Sequence, residues 1–210
     1  MVTISKKLKD GTATYREANR YAIIVGELLA KSFKMNLSSE VLPNGKLYYN
    51  IAKKVVDPMM VNNFLLISEV SQEVQTVLNQ SAGLGMRGLK PEINQDRIDG
   101  IVQRLALEES FDDIKWILGE PVINFSQSVV DDTIKTNAQF HYDAGLKPKI
   151  IRTANANCCD WCDEVAGVYD YKNVMDTGND VYRRHRYCQC EVNYLPGDGR
   201  RQNAHSKTWT

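Results

Sequence analysis

The sequence predicts a mainly α-helical N-terminal region over residues 1–147. A small C-terminal α+β cysteine/histidine module, of zinc-knuckle type, follows over 148–196, and a polar tail over 197–210. Three observations point there. Apolar residues recur at helical spacing through most of the first 147 positions. After Pro148 the pattern shortens to brief runs of β-branched and aromatic residues, which suit short strands. All five cysteines of the 210-residue chain fall between positions 158 and 190.

The elements follow in order. Ala18, Tyr21, Ala22, Val25, Leu28 and Leu29 mark one face of a helix running from Thr14 to Phe33. Leu42-Pro43-Asn44-Gly45 reads as a turn. A helix over Leu47 to Val56 ends there, and a second begins at Asp57-Pro58, with Asp57 as N-cap and Pro58 at the first helical position. Phe64, Ile67, Val70, Val74 and Val77 form the face of that second helix, which Gly83-Leu84-Gly85 stops. Ile98, Ile101, Val102 and Leu105 predict a helix over Gln95 to Leu107. Ser110 followed by Asp113 is a capping-box-like start. Pro121 opens the last long helix, with Val122, Phe125, Val129 and Ile134 on its apolar face, and Gly145 caps it ahead of Pro148. The strands expected beyond are Lys149 to Thr153, Val168 to Tyr171 and Glu191 to Tyr194.

Composition excludes several classes. Lys+Arg and Asp+Glu both number 26, so the surface as a whole is not a basic glove for nucleic acid. No stretch approaches the roughly 18 apolar residues of a membrane helix, and no apolar run of signal-peptide type follows Met1 to Asp10. Membrane insertion and signal-directed secretion are not expected. The charge is unevenly spread: residues 1–54 hold ten bases against four acids, and residues 91–133 hold ten acids against three bases. Such segments serve either as solvated helix faces or as head-to-tail contacts between copies.

The chemistry concentrates in the cysteine segment. Cys159-x2-Cys162 has knuckle spacing, because two sulfurs so placed in a tight turn can face one ion. His185-x2-Cys188 offers a second pair, and Cys190 lies one strand step beyond Cys188 on the same face. Zinc takes four such ligands in a tetrahedron. The expected metal set is therefore Cys159, Cys162, His185 and Cys188, with Cys190 as the alternative fourth ligand and Cys158 as an additional thiol. The expected cofactor is a structural zinc. Disulfides, a thioredoxin-like pair and a catalytic zinc are the competing readings, the last drawing on Asp160, Asp163 or Glu164.

Arg183, Arg184 and Arg186 read either as a nucleic-acid contact or as a solvated basic turn. Trp161, Tyr169, Tyr171 and Tyr194 are stacking platforms for bases or the small core of the module. His141 and His205 stand alone and take no role. Gly83-Leu84-Gly85-Met86-Arg87-Gly88 lacks the spacing and the Lys-Ser/Thr of a phosphate loop, and no G-x-S-x-G elbow is present.

These residues resemble the C-terminal part of phage minor head (minor capsid) proteins, the Mu F-like head morphogenesis family. The resemblance is carried by Cys159 and Cys162, by Gly167 with Val168 to Tyr171, and by His185, Cys188 and Cys190. Asp180 to His185, Pro196 to Asn203, Leu42 to Asn50 and Val122 to Gln127 look like the versions in tailed phages and prophages of Gram-positive bacteria. The chain departs from the family pattern at Arg186, where the family often has proline, and at Cys158. The resemblance implies a structural component of a tailed-phage head that docks on portal protein, on major capsid protein or on itself as a homo-oligomer. Packaged DNA would lie near it. It implies residence in the virion head, and in the host cytoplasm during assembly. The alternative is a small zinc-dependent nuclease or toxin-like effector domain, which would need a general base beside an open metal position. Without such a pair, no catalytic residue is assigned.

Overall fold

The computed structural model describes residues 2–156 and 158–196. Six helices lead into a three-stranded sheet with one short helix inserted between strands. They are α1 Val2–Lys9, α2 Tyr15–Asn36, α3 Tyr49–Ser81, α4 Gln95–Leu107, α5 Phe111–Ile114 and α6 Glu120–Asp143. The sheet region holds β1 Lys149–Thr153, α7 Asp160–Glu164, β2 Gly167–Asp170 and β3 Glu191–Leu195. The chain is thus mainly helical with a small C-terminal sheet, as its apolar spacing predicts. No helix among the described residues is long and apolar enough to cross a membrane.

Helices α2, α3 and α6 pack on one another, and α4 lies on α3. Helix α2 begins at a capping box in which Thr14 and Glu17 bond reciprocally, which satisfies N–H groups left open by the first turn. Its inner face buries Ala18, Ala22, Val25 and Phe33. Where α2 crosses α6, Gly26 allows a close approach. A Cβ at this position would stand 2.7 Å from Ser126 Oγ and 3.0 Å from Ile123 Cα. Gly26→Ala is therefore expected to destabilise the protein despite alanine's better helix propensity. Overpacking costs about 1–3 kcal/mol and the propensity gain offsets about 1. A net loss near 1 kcal/mol lowers the melting temperature by about 2–4 °C in a chain of this size, and an unchanged or raised value would contradict the close contact.

Two expectations require correction. The break at Asp57-Pro58 does not occur: α3 runs unbroken from Tyr49 to Ser81 with Pro58 inside it. Proline removes one backbone donor and crowds the preceding turn. Flanking burial outweighs that cost, because Ala52, Val56, Met60 and Phe64 all enter the core from one continuous face. Asp57 is a mid-helix ion-pair partner of Lys53, which also reaches Asp99 at 2.7 Å. The capping-box-like start at Ser110 yields only the single turn α5, without a side-chain cap bond, continued by a 3-10 turn over Lys115–Leu118. Helix α1 was not among the expected elements; it is short, and Ile4 is its buried anchor.

Gly145, with φ of 84°, ends α6 in the left-handed region that glycine adopts without penalty. The chain then enters β1, the central strand of an antiparallel sheet ordered β2-β1-β3. Ile150 pairs with Tyr169 on one side and Tyr194 on the other. Ile150, Arg152, Val192 and Tyr194 are buried. Ile150, Val192 and Tyr194 join the same apolar core as the helices. His141, assigned no role from sequence, is buried on α6 and bonds through Nδ1 to the Tyr194 hydroxyl, tying α6 to β3. Burial pushes its pKa down. The expected polar tail over 197–210 lies outside the described residues, as do His205 and the Pro196-to-Asn203 resemblance beyond Pro196.

Candidate metal centre

Two turns supply the donors. The first follows β1. Cys159 takes the N-cap position of α7 with extended backbone, and its carbonyl accepts from Asp163 N at 3.2 Å. Three residues on, nearly one helical turn, Cys162 returns to the same side, where it is 1% exposed. The second turn precedes β3. Asn179 caps a 3-10 turn over Asp180–Tyr182 by accepting from Val181 N. Cys188 N then donates to His185 O at 3.2 Å, which closes a tight turn. Tyr187 sits in that turn at φ of 62°, a conformation few non-glycine residues adopt. Its backbone N–H is held by Glu120 at 3.1 Å.

The sheet sets these turns side by side. Two groups of donors form, each with its atoms within 4.8 Å of one another: Cys159, Cys162 and His185, and Cys162, Cys188 and Cys190. Cys162 belongs to both. His185 Nε2 lies 2.9 Å from Cys162 Sγ and 3.4 Å from Cys159 Sγ. Cys162 and Cys188 sulfurs are 4.0 Å apart. Two thiolates on a tetrahedral zinc, each at about 2.3 Å, stand roughly 3.8 Å from one another, so the 3.4 and 4.0 Å separations suit a shared ion, whereas the 2.9 Å Cys162–His185 contact is the length of a direct hydrogen bond. All five cysteines are free thiols.

The surroundings prepare the donors. A carbonyl oxygen can only accept, so the 2.6 Å contact between His185 Nδ1 and Arg186 O places the proton on Nδ1. In the neutral ring this leaves the Nε2 lone pair facing the sulfurs, the arrangement metal-binding histidines adopt. Trp161 packs edge-on against the same ring, with centroids 5.9 Å apart. The hydrogen bond to Cys190, with burial, pushes the Cys188 thiol up to about 12, and the same bond holds Cys190 below its ordinary value. Burial raises Cys162. Ionisation of Cys162 and Cys188 is favoured by a cation close by, since ligating sulfur is thiolate. Both groups are thiol and imidazole alone; Asp160, Asp163 and Glu164 belong to neither. The donors fit a soft or borderline divalent ion.

The arginine run divides. Arg184, expected among nucleic-acid contacts, is instead buried in a two-pronged ion pair: Nε reaches one Asp131 oxygen at 2.6 Å and Nη2 the other at 2.8 Å. The two side chains are 4% and 2% exposed. Nη1 donates to Cys190 O at 2.8 Å, so this arginine pins the cysteine turn to α6. With its donors turned inward, Arg184 cannot meet a phosphate. Arg183 is exposed and paired with Asp180 at 2.8 Å. The Arg186 guanidinium lies 5.7 Å from the Trp116 ring and 5.1 Å from the Tyr187 ring. Tyr171 and Tyr194 are buried among core side chains, away from any stacking role.

Sequence reasoning missed two residues. Asp131 looks like any acid on a helix, and its burial depends on which face α6 turns inward. Arg152 carried a readable signal: strand alternation in Lys149-Ile150-Ile151-Arg152-Thr153 puts it on the same side as Ile150.

Comparison of the chain with protein-family models, with curated proteins and with solved structures finds no match.

Proposed function

We propose that this chain is a structural and interaction component of a tailed-phage head, built around a closed zinc centre. The observation that carries the reading is the folded form of the cysteine–histidine motif. Cys159-x2-Cys162 at the start of a short helix and His185-x2-Cys188-x-Cys190 before the last strand supply two donor groups that share Cys162. Zinc is the ion such a donor set favours. It would cross-link two turns on a sheet whose strands are only four or five residues long. Among the described residues neither donor group includes a carboxylate, which suits holding rather than hydrolysis.

The helical region supplies the docking surface. Its basic segment 1–54 and acidic segment 91–133 favour salt-sensitive contacts with portal protein, major capsid protein or a second copy. Exposed apolar side chains such as Met35, Leu107 and Trp116 offer anchors for them. Mass spectrometry of purified particles tests the reading. The chain is expected in the head fraction and in procapsids; its absence from both would overturn the assignment.

A further inference from the structure

Among the described residues, Arg152 is the one buried arginine of the sheet, and no carboxylate pairs with it. The side chain is 2% exposed in the middle of the central strand. Among the described residues it makes no ion pair with an acid. Nη1 donates to the carbonyls of Val181 at 2.7 Å and Arg183 at 2.8 Å, with Asp180 O at 3.4 Å. Nη2 turns the other way, to Cys188 Sγ at 3.7 Å and Cys162 Sγ at 3.9 Å. The guanidinium carbon lies 5.2 Å from the Trp161 ring. Carbonyl dipoles and an aromatic face offset part of a buried charge, but a full positive charge out of water calls for an anion. Among the described residues, the groups its N–H donors meet that can become anionic are these two sulfurs, with the Cys190 thiol also close enough to feel the charge.

We propose that Arg152 is the counter-charge of an anionic metal–thiolate centre, and that it selects a ligand set with three thiolates. The inference rests on the metal reading above. Three thiolates and a neutral imidazole around a divalent ion carry one net negative charge, which one guanidinium balances. Two thiolates and two neutral ligands carry none, and would leave Arg152 buried without compensation. The sulfurs that Nη2 faces, Cys162 and Cys188, belong to that set. Arg152 touches no metal. It is a positioning residue that acts through its N–H···S contacts, as outer-shell partners of metal ligands do.

Zinc affinity measured by competition with a chromophoric chelator tests this. Arg152→Gln keeps a polar group near the carbonyls but removes the charge, and is expected to weaken zinc binding roughly 10–100-fold. Arg152→Lys keeps the charge and recovers most of the loss. Arg152→Met serves where the glutamine variant does not fold. The deciding step repeats the charge removal in a Cys159→His background, whose ligand set has one thiolate fewer. There the penalty should shrink by more than about threefold, beyond the scatter of independent sites. An equal penalty in both backgrounds means that Arg152 merely clamps the 180–183 carbonyls, and it overturns the proposal. So does wild-type affinity in Arg152→Gln. Wild-type protein that takes up no zinc overturns the metal reading itself, and this inference with it.

Discussion

Asp131→Ala is expected to cost about 3–5 kcal/mol, because it strands the Arg184 guanidinium in the protein interior. The pair is two-pronged and nearly free of solvent, with contacts of 2.6 and 2.8 Å. Its remaining hydrogen bonds go to Cys190 O and, at 3.4 Å, to Asn19 Oδ1, neither of which carries charge. In a chain of this size the loss corresponds to a fall in melting temperature of about 6–20 °C. The double replacement Asp131→Leu with Arg184→Met should recover most of it, since neither partner is then left alone. Thermal unfolding of the two single variants and the double variant makes the cycle. A single-variant loss below 1 kcal/mol would mean that water reaches the pair, and that the cysteine turn is not pinned to α6 through it.

The contrast between Asp131 and the cysteines shows what a sequence can carry. Ligand spacing is local: Cys159 and Cys162 lie on one short turn, as do His185 and Cys188, so each pair is readable without the fold. Apolar periodicity is also local, and for that reason α2, α4 and α6 lie close to their expected ranges. The Asp131–Arg184 pair spans 53 residues and exists only because α6 and the pre-β3 turn pack together. In the sequence, Arg184 is one member of a basic run, and nothing local marks it as buried. The continuity of α3 through Pro58 was hidden for a similar reason. A propensity rule marks proline as a boundary, whereas buried Val56 and Met60 on either side hold the helix through it.

The same non-local contacts explain how a small sheet becomes a firm end to a helical protein. Tyr194 on β3 reaches His141, and Arg184 reaches Asp131, both on α6. Arg16 on α2 reaches Glu191 at the start of β3, at 3.3 Å and partly exposed. The buried face of the sheet merges with the helical core rather than forming one of its own. What the sheet leaves unsupported is the opposite end, where the donor turns sit in a separate small cluster of Cys162, Cys188 and Cys190.

That cluster is where the largest effect is expected. Cys162→Ser should abolish stoichiometric metal binding, because Cys162 alone belongs to both donor groups. Loss of Cys190 removes a donor from one group only and should be tolerated far better. Serine is nearly the same size but is a poor ligand for a borderline ion. The affinity loss should exceed the roughly 10–100-fold that outer-shell changes cause. The consequence for the fold should be local. Helices α2, α3 and α6 keep their common core, while the turns at Cys159–Cys162 and His185–Cys188 lose their cross-link. Chelator treatment of the wild-type protein should reproduce the same state, since binding and folding of such a centre are linked. Metal content by elemental analysis, with amide exchange followed separately in β1, β3 and α3, reads both halves of the prediction. Fast exchange confined to the sheet end, with α3 unchanged, is the expected pattern. Full metal content in Cys162→Ser, or uniform loss of protection along the whole chain, would refute a centre built around Cys162.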